Sequence, residues 1–227
     1  MRRPLSSFAP AALIALALSA TGCQQLFTTS LAAWAERDSI SIPKDISNAD
    51  AAEILATTDD PTVLSSLLAV LNDQAAAGDL GSAALAAEAA IGASGVADGI
   101  MPVLADYIAS GTTPDVAALV TTLQAGATTE VLAGLDFLGN PAVLADAPLT
   151  PTELLVAASI LAASALPAGV DPTTLDGSST PTLTDYQNDL AVQLAFDLIQ
   201  KASADLAATG ADTSTLDAFA EYLNTGA

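Results

Sequence analysis

Six times in this chain a proline directly follows a side chain that can cap a helix: Asp60-Pro61, Thr113-Pro114, Asn140-Pro141, Thr150-Pro151, Asp171-Pro172 and Thr180-Pro181. Proline suits the first helical position, where its missing N–H would have no intrahelical partner. The preceding Asp, Asn or Thr accepts from the free amides of the first turn. A chain punctuated in this way is a succession of helices. The residues between the prolines agree, since 51 of the 227 are Ala, the strongest helix former. β-branched runs with period-two alternation, from which a sheet is built, are nearly absent.

Apolar spacing locates the helices. Val63, Leu64, Leu67, Leu68 and Leu71 form a helical stripe, as do Val116, Leu119, Val120 and Leu123, and Leu216, Phe219, Ala220 and Leu223. Gly78, Gly111, Gly126 and Gly210 stand where helices should stop. Thr150 to Glu153 is a capping box, and Thr184 to Gln187 offers a second. The expected helices are 48–57, 61–77, 80–92, 97–109, 114–125, 128–138, 151–166, 184–208 and 213–224, with 167–183 the longest loop. The fold class is therefore all-α: a bundle or short array of antiparallel helical hairpins over 48–227. The uncharged run Leu154 to Val170 is interrupted by Pro167 and Gly169. Its apolar part is shorter than a membrane span and reads as a core helix.

The amino terminus has a different character. Arg2 and Arg3 form a positive start, Ala11 to Leu18 a short apolar stretch, and Ala20, Thr21 and Gly22 a run of small residues before Cys23. This is the layout of a secretory signal, 1–22, cleaved between Gly22 and Cys23. The segment Leu18-Ser19-Ala20-Thr21-Gly22-Cys23 resembles the lipobox of bacterial lipoproteins, although Ala20 stands where Leu is usual. The resemblance implies that the Cys23 thiol carries a diacylglycerol and that the new amino terminus is acylated. It places the protein in the bacterial cell envelope, facing the periplasm or the cell surface. Gln24 after the cysteine resembles lipoproteins sorted to the outer membrane in enterobacteria. Cys23 is the one cysteine of the chain, which fits a thiol consumed by lipid. Multiple acyl chains anchor stably where one would be marginal. Residues 24–47 hold Phe27, Leu31 and Trp34 on one helical face, expected to dock on the folded body, and then a linker containing Pro43.

Charge and composition narrow the chemistry. The chain has 26 acidic and 5 basic residues and a net charge of −21; without Arg2 and Arg3 it becomes −23. Nucleic acid is excluded as a partner, because its binding relies on Lys and Arg neutralising phosphates. The acids read as a solvated, solubilising surface. There is no His, and lipidation would use the sole Cys, so Ser-His and Cys-His catalysis and His/Cys zinc sites are excluded. No cofactor and no resident metal are expected. Carboxylates stay open: Asp171, Asp176 and Asp185 flank the long loop, and Asp59-Asp60 is an adjacent pair whose second member is a helix cap. Glu88 sits in an Ala-rich helix, and Tyr107, Tyr186 and Tyr222 read as aromatics at the edge of the core.

Gly78 and Gly111 lie 33 residues apart, each between two expected helices, so 61–93 and 97–125 read as successive hairpins. The stretch Gly78-Asp79-Leu80-Gly81-Ser82-Ala83 through Ala89-Ala90 faintly resembles a tetratricopeptide repeat, a family of paired helices that serves protein assembly. The Trp, Tyr and Pro landmarks of that family are missing, and a generic helical domain fits better. The leading expectation is a non-catalytic envelope protein that binds a partner protein or acts as a scaffold. The alternative is a carrier of a hydrophobic ligand or lipid, with an apolar cavity between helices. A carboxylate-based enzyme is the third reading.

Overall fold

The structure, a computed structural model, describes residues 42–96, 99, 116–170, 182–214, 216 and 217. The fold is all-α, and no strand occurs among the described residues. The helices are α1 (Asn48–Thr57), α2 (Pro61–Ala76), α3 (Leu80–Ala93), α4 (Val116–Gly126), α5 (Thr129–Asp136), α6 (Pro141–Asp146), α7 (Pro151–Ser164), α8 (Leu183–Gln187) and α9 (Leu190–Ala208). A short 3-10 turn, Phe137–Gly139, joins α5 to α6.

The starts of α2, α6 and α7 have local causes. Asp60 accepts from the Thr62 amide at 2.8 Å with Pro61 in the first turn of α2. Asn140 does the same for Ala142 at 3.0 Å ahead of Pro141. Thr150 and Glu153 form the expected capping box: Glu153 Oε2 accepts from the Thr150 amide at 2.7 Å, and Thr150 Oγ1 accepts from the Glu153 amide at 3.3 Å. The ends are local too. Gly78 (φ 102°) and Gly210 (φ 82°) adopt the left-handed backbone that closes α2 and α9. In both cases the next amide reaches back, Asp79 to the Gln74 carbonyl and Ala211 to the Leu206 carbonyl, each at 3.2 Å.

Two expectations need correction. The span 184–208 is two helices, because Asp189 takes an extended backbone (φ −69°, ψ 135°) and caps α9 through the Ala191 amide. The second capping box is formed by Thr182 and Asp185, so Thr184 lies inside α8. Gly126 ends α4 as expected, without a left-handed backbone; it is buried, and a Cβ there would strike the Val96 side chain and stand 2.8 Å from the Ser94 carbonyl oxygen. α6 joins the expected set as a short helix raised by Asn140-Pro141. The expected helix 97–109, the start of 114–125 and most of 213–224 lie outside the described residues.

The chain divides into two compact units. The first comprises, among described residues, 42–96 and 126–148; the second comprises 116–125, 149–170, 182–214, 216 and 217, with Gly99. In the first, α2 and α3 pack as a hairpin, and α1, α5 and α6 pack against α3. α3 is therefore enclosed: Ala83, Ala84, Leu85, Ala86, Ala87, Ala89, Ala90 and Ile91 are all buried. Alanine explains how one helix takes so many neighbours, since its small side chain lets backbones approach closely. In the second unit α7 packs along α9. Leu154, Ile160 and Leu161 of α7 and Ala195, Leu198 and Ala202 of α9 are fully shielded from solvent. Among the described residues no helix is long and apolar enough to cross a membrane.

Candidate functional site

Gly22 and Cys23, the expected cleavage and lipidation residues, lie outside the described residues, as do Phe27, Leu31, Trp34, Tyr107, Asp171, Asp176 and Tyr222. Of the loop acids, Asp185 belongs to the capping box of α8, where Thr182 donates to its carboxylate at 2.7 Å. The Thr182 hydroxyl and then its amide hold the Asp185 carboxyl below its ordinary range. Among the described residues no three His, Cys, Asp or Glu side chains are grouped to hold a metal ion. Asp60 is a helix cap, as its sequence context implies. Tyr186 is buried and donates to the Ala162 carbonyl at 3.2 Å, which ties α8 to α7. Glu88 is half-buried on α3.

The most developed polar constellation surrounds Ser82, a residue that the sequence does not single out. Ser82 is fully buried (0 % exposed) in the first turn of α3. Its Oγ lies 2.8 Å from Gln74 Oε1 and 2.9 Å from Asn48 Oδ1. The nitrogen ends of both amides are engaged elsewhere. Gln74 Nε2 donates to the carbonyls of Lys44 (3.0 Å) and Ile46 (3.1 Å), while Asn48 Nδ2 faces the Asp79 carboxylate at 3.4 and 3.5 Å. Flipping either amide would set its oxygen against another oxygen. Ser82 thus shares its single hydroxyl proton between two acceptors.

Asp79 completes the arrangement. Its Oδ1 accepts from the amides of Gly81 (2.9 Å) and Ser82 (3.1 Å), which caps α3. The Ser82 amide does most to lower its carboxyl below the ordinary value, with the Asn48 amide assisting and desolvation opposing. Gly81 makes room: a Cβ there would collide with Asn48 Nδ2. The chemistry of this network is that of a fastening. Amide oxygens hold a hydroxyl proton without removing it, so neither Gln74 nor Asn48 turns Ser82 into a nucleophile. What the network does is bind the segment before α1, through two of its carbonyls, to the α2–α3 hairpin.

The second unit has a related device. Gln124 Nε2 donates to the carbonyls of Ala163 (3.1 Å) and Leu166 (2.8 Å), at and just beyond the carboxyl end of α7. Further along, Ser203 is buried and donates to Asp217 Oδ1 at 2.5 Å, and Thr213 donates to the other oxygen at 3.0 Å. These bonds hold the residues after α9 against that helix. Compared with known protein families, curated proteins and solved structures, the chain matches none.

Proposed function

We propose that this protein is a membrane-anchored envelope lipoprotein whose helical body is a non-catalytic module for binding a partner protein. The observation that carries the reading is the order of residues 1–23: a basic start, an apolar stretch, small residues and the sole cysteine. The acyl chains on Cys23 hold the protein to the membrane, and the body stands outside the cytoplasm. The α2–α3 hairpin supports the second half of the proposal, because stacked helical hairpins present extended side-chain surfaces to other proteins. The acidic surface keeps such a module soluble beside the bilayer.

The test is direct. Cells grown with an alkyne-tagged fatty acid should label the native protein, and Cys23→Ser should abolish the label. The labelled form should enter the detergent phase on partitioning. An intact Cys23 thiol in the purified native protein, together with recovery in the aqueous phase, overturns the anchor. Crosslinking in intact cells then addresses the partner. Recovery of one envelope protein by the wild type and by a variant anchored through an unrelated lipoprotein signal supports the binding role. Failure of both to recover any protein above the level of an unrelated anchored control opposes it.

A further inference from the structure

The first described segment of the first unit, residues 42–57, is fastened to it largely through polar side chains. Across residues 42–57 the buried apolar side chains are Ile42, Ile46 and Ala51. The remaining large apolar residues, Ile54 and Leu55, are half-buried. By contrast α2 buries Val63, Leu64, Leu67, Leu68 and Leu71, and α3 is buried along nearly its whole length. Among the described residues, the backbone–backbone bond within 42–46 is a single turn, Ile46 to the Pro43 carbonyl at 3.2 Å. The attachments to the hairpin are side-chain bonds: Gln74 to two carbonyls, and Asn48 to Ser82 and Asp79. A segment with little buried apolar area, held by a few polar bonds, opens at a lower free energy than the core beside it.

We propose that residues 42–57 form a strap that detaches from the α2–α3 hairpin as one unit, with the Ser82 network as its catch, while the hairpin stays folded. Release frees α1 from α3 and breaks the catch at both amides. Where the chain is anchored upstream at Cys23, which rests on the function proposed above, release also lengthens the tether. The 16 residues of the strap add at most about 55 Å of extended chain. The catch then sets how far the body reaches from the membrane.

Native-state hydrogen exchange on the full chain tests this. The probes are the strap amides 51–58, bonded from Ala51 to the Ser47 carbonyl through Thr58 to the Ile54 carbonyl, and the hairpin amides 64–75 and 84–91. The strap should exchange roughly tenfold or more faster than expected for global opening, and with a weaker dependence on denaturant than the hairpin. Gly81→Ala is the diagnostic variant. Its methyl group takes the place of the Asn48 amide, while alanine is the better helix former at that site. It should speed strap exchange roughly fivefold, the loss of about one hydrogen bond, and the hairpin amides by less, because the helix preference of alanine offsets the lost catch against global opening. Equal rates and equal denaturant slopes for strap and hairpin in the wild type would overturn the proposal. So would a Gly81→Ala variant whose strap amides exchange no faster than those of the wild type. The measurement needs no acyl group, so loss of the Cys23 reading removes the change in reach and leaves the opening rates to be judged alone.

Discussion

Gly134 lies against Ala90 with no room for a methyl group between them. A Cβ on Gly134 would stand 2.9 Å from the Ala90 Cβ, 2.9 Å from Leu68 Cδ1 and 3.0 Å from the Ala86 carbonyl oxygen. α5 therefore meets α3 and α2 almost backbone to side chain, and Gly134 itself is buried. Gly134→Ala should destabilise the protein by about 1–3 kcal/mol. The Ala86 carbonyl belongs to a helix enclosed by neighbours and cannot yield cheaply. Urea unfolding measures the change; an increase in stability, as helix propensity alone would give, contradicts the packing described.

Thr150 and Glu153 satisfy two amides at the start of α7 reciprocally. Thr150→Ala removes the hydroxyl that accepts from the Glu153 amide. The expected loss is about 1 kcal/mol, the usual worth of a capping side chain. Glu153→Gln should cost less, since its carboxamide oxygen still reaches the Thr150 amide. Thermal unfolding of the two variants side by side ranks them, and the reverse order would count against the box.

Gln124 supplies the donor for two carbonyls at the end of α7. Gln124→Leu keeps the bulk and withdraws the donor. It should cost about 1–3 kcal/mol, because the Ala163 and Leu166 carbonyls then lose a partner in a part-buried setting. Gln124→Glu should be at least as damaging near neutral pH, where a carboxylate faces the same two oxygens. A neutral outcome for both in denaturant titration would show that solvent replaces the amide.

Acid sensitivity follows from Asp79. Its folded carboxyl titrates below the ordinary carboxylate range, chiefly because the Ser82 amide binds the charged form. The unfolded chain takes up its proton first as pH falls. The stabilisation from Asp79 is therefore complete above the unfolded value of about 3.9 and is lost as pH drops through the folded value. Asp79→Asn should flatten that part of the stability curve and change little in its slope at higher pH. An unchanged slope below pH 4 in the variant would place the acid sensitivity on other carboxylates.

Much of the helix layout is legible because its signals are local. Asp60-Pro61, Asn140-Pro141 and Thr150 to Glu153 act over two or three residues, and so do the closing turns at Gly78 and Gly210. The division at Asn188-Asp189 is harder to read. The deciding event is one residue, Asp189, choosing an extended backbone. The Ser82 network is beyond local reading altogether. Its partners stand 8 and 34 residues away, and a serine among alanines carries no mark of being a junction. Asn48 looks like a helix-start residue, and Ser47 takes the cap while Asn48 turns to the hairpin.

The order in which the chain visits its two units has a consequence during synthesis. The polypeptide leaves the first unit after Val96, returns at Gly126 and departs again after Pro148. α5, whose Gly134 fits against α3, is thus made long after the helix it completes. A nascent chain halted between Ala93 and Gly126 holds α3 with part of its alanine surface still bare. Until synthesis has delivered residues 126–148, that surface is the place where a holding chaperone would be needed most.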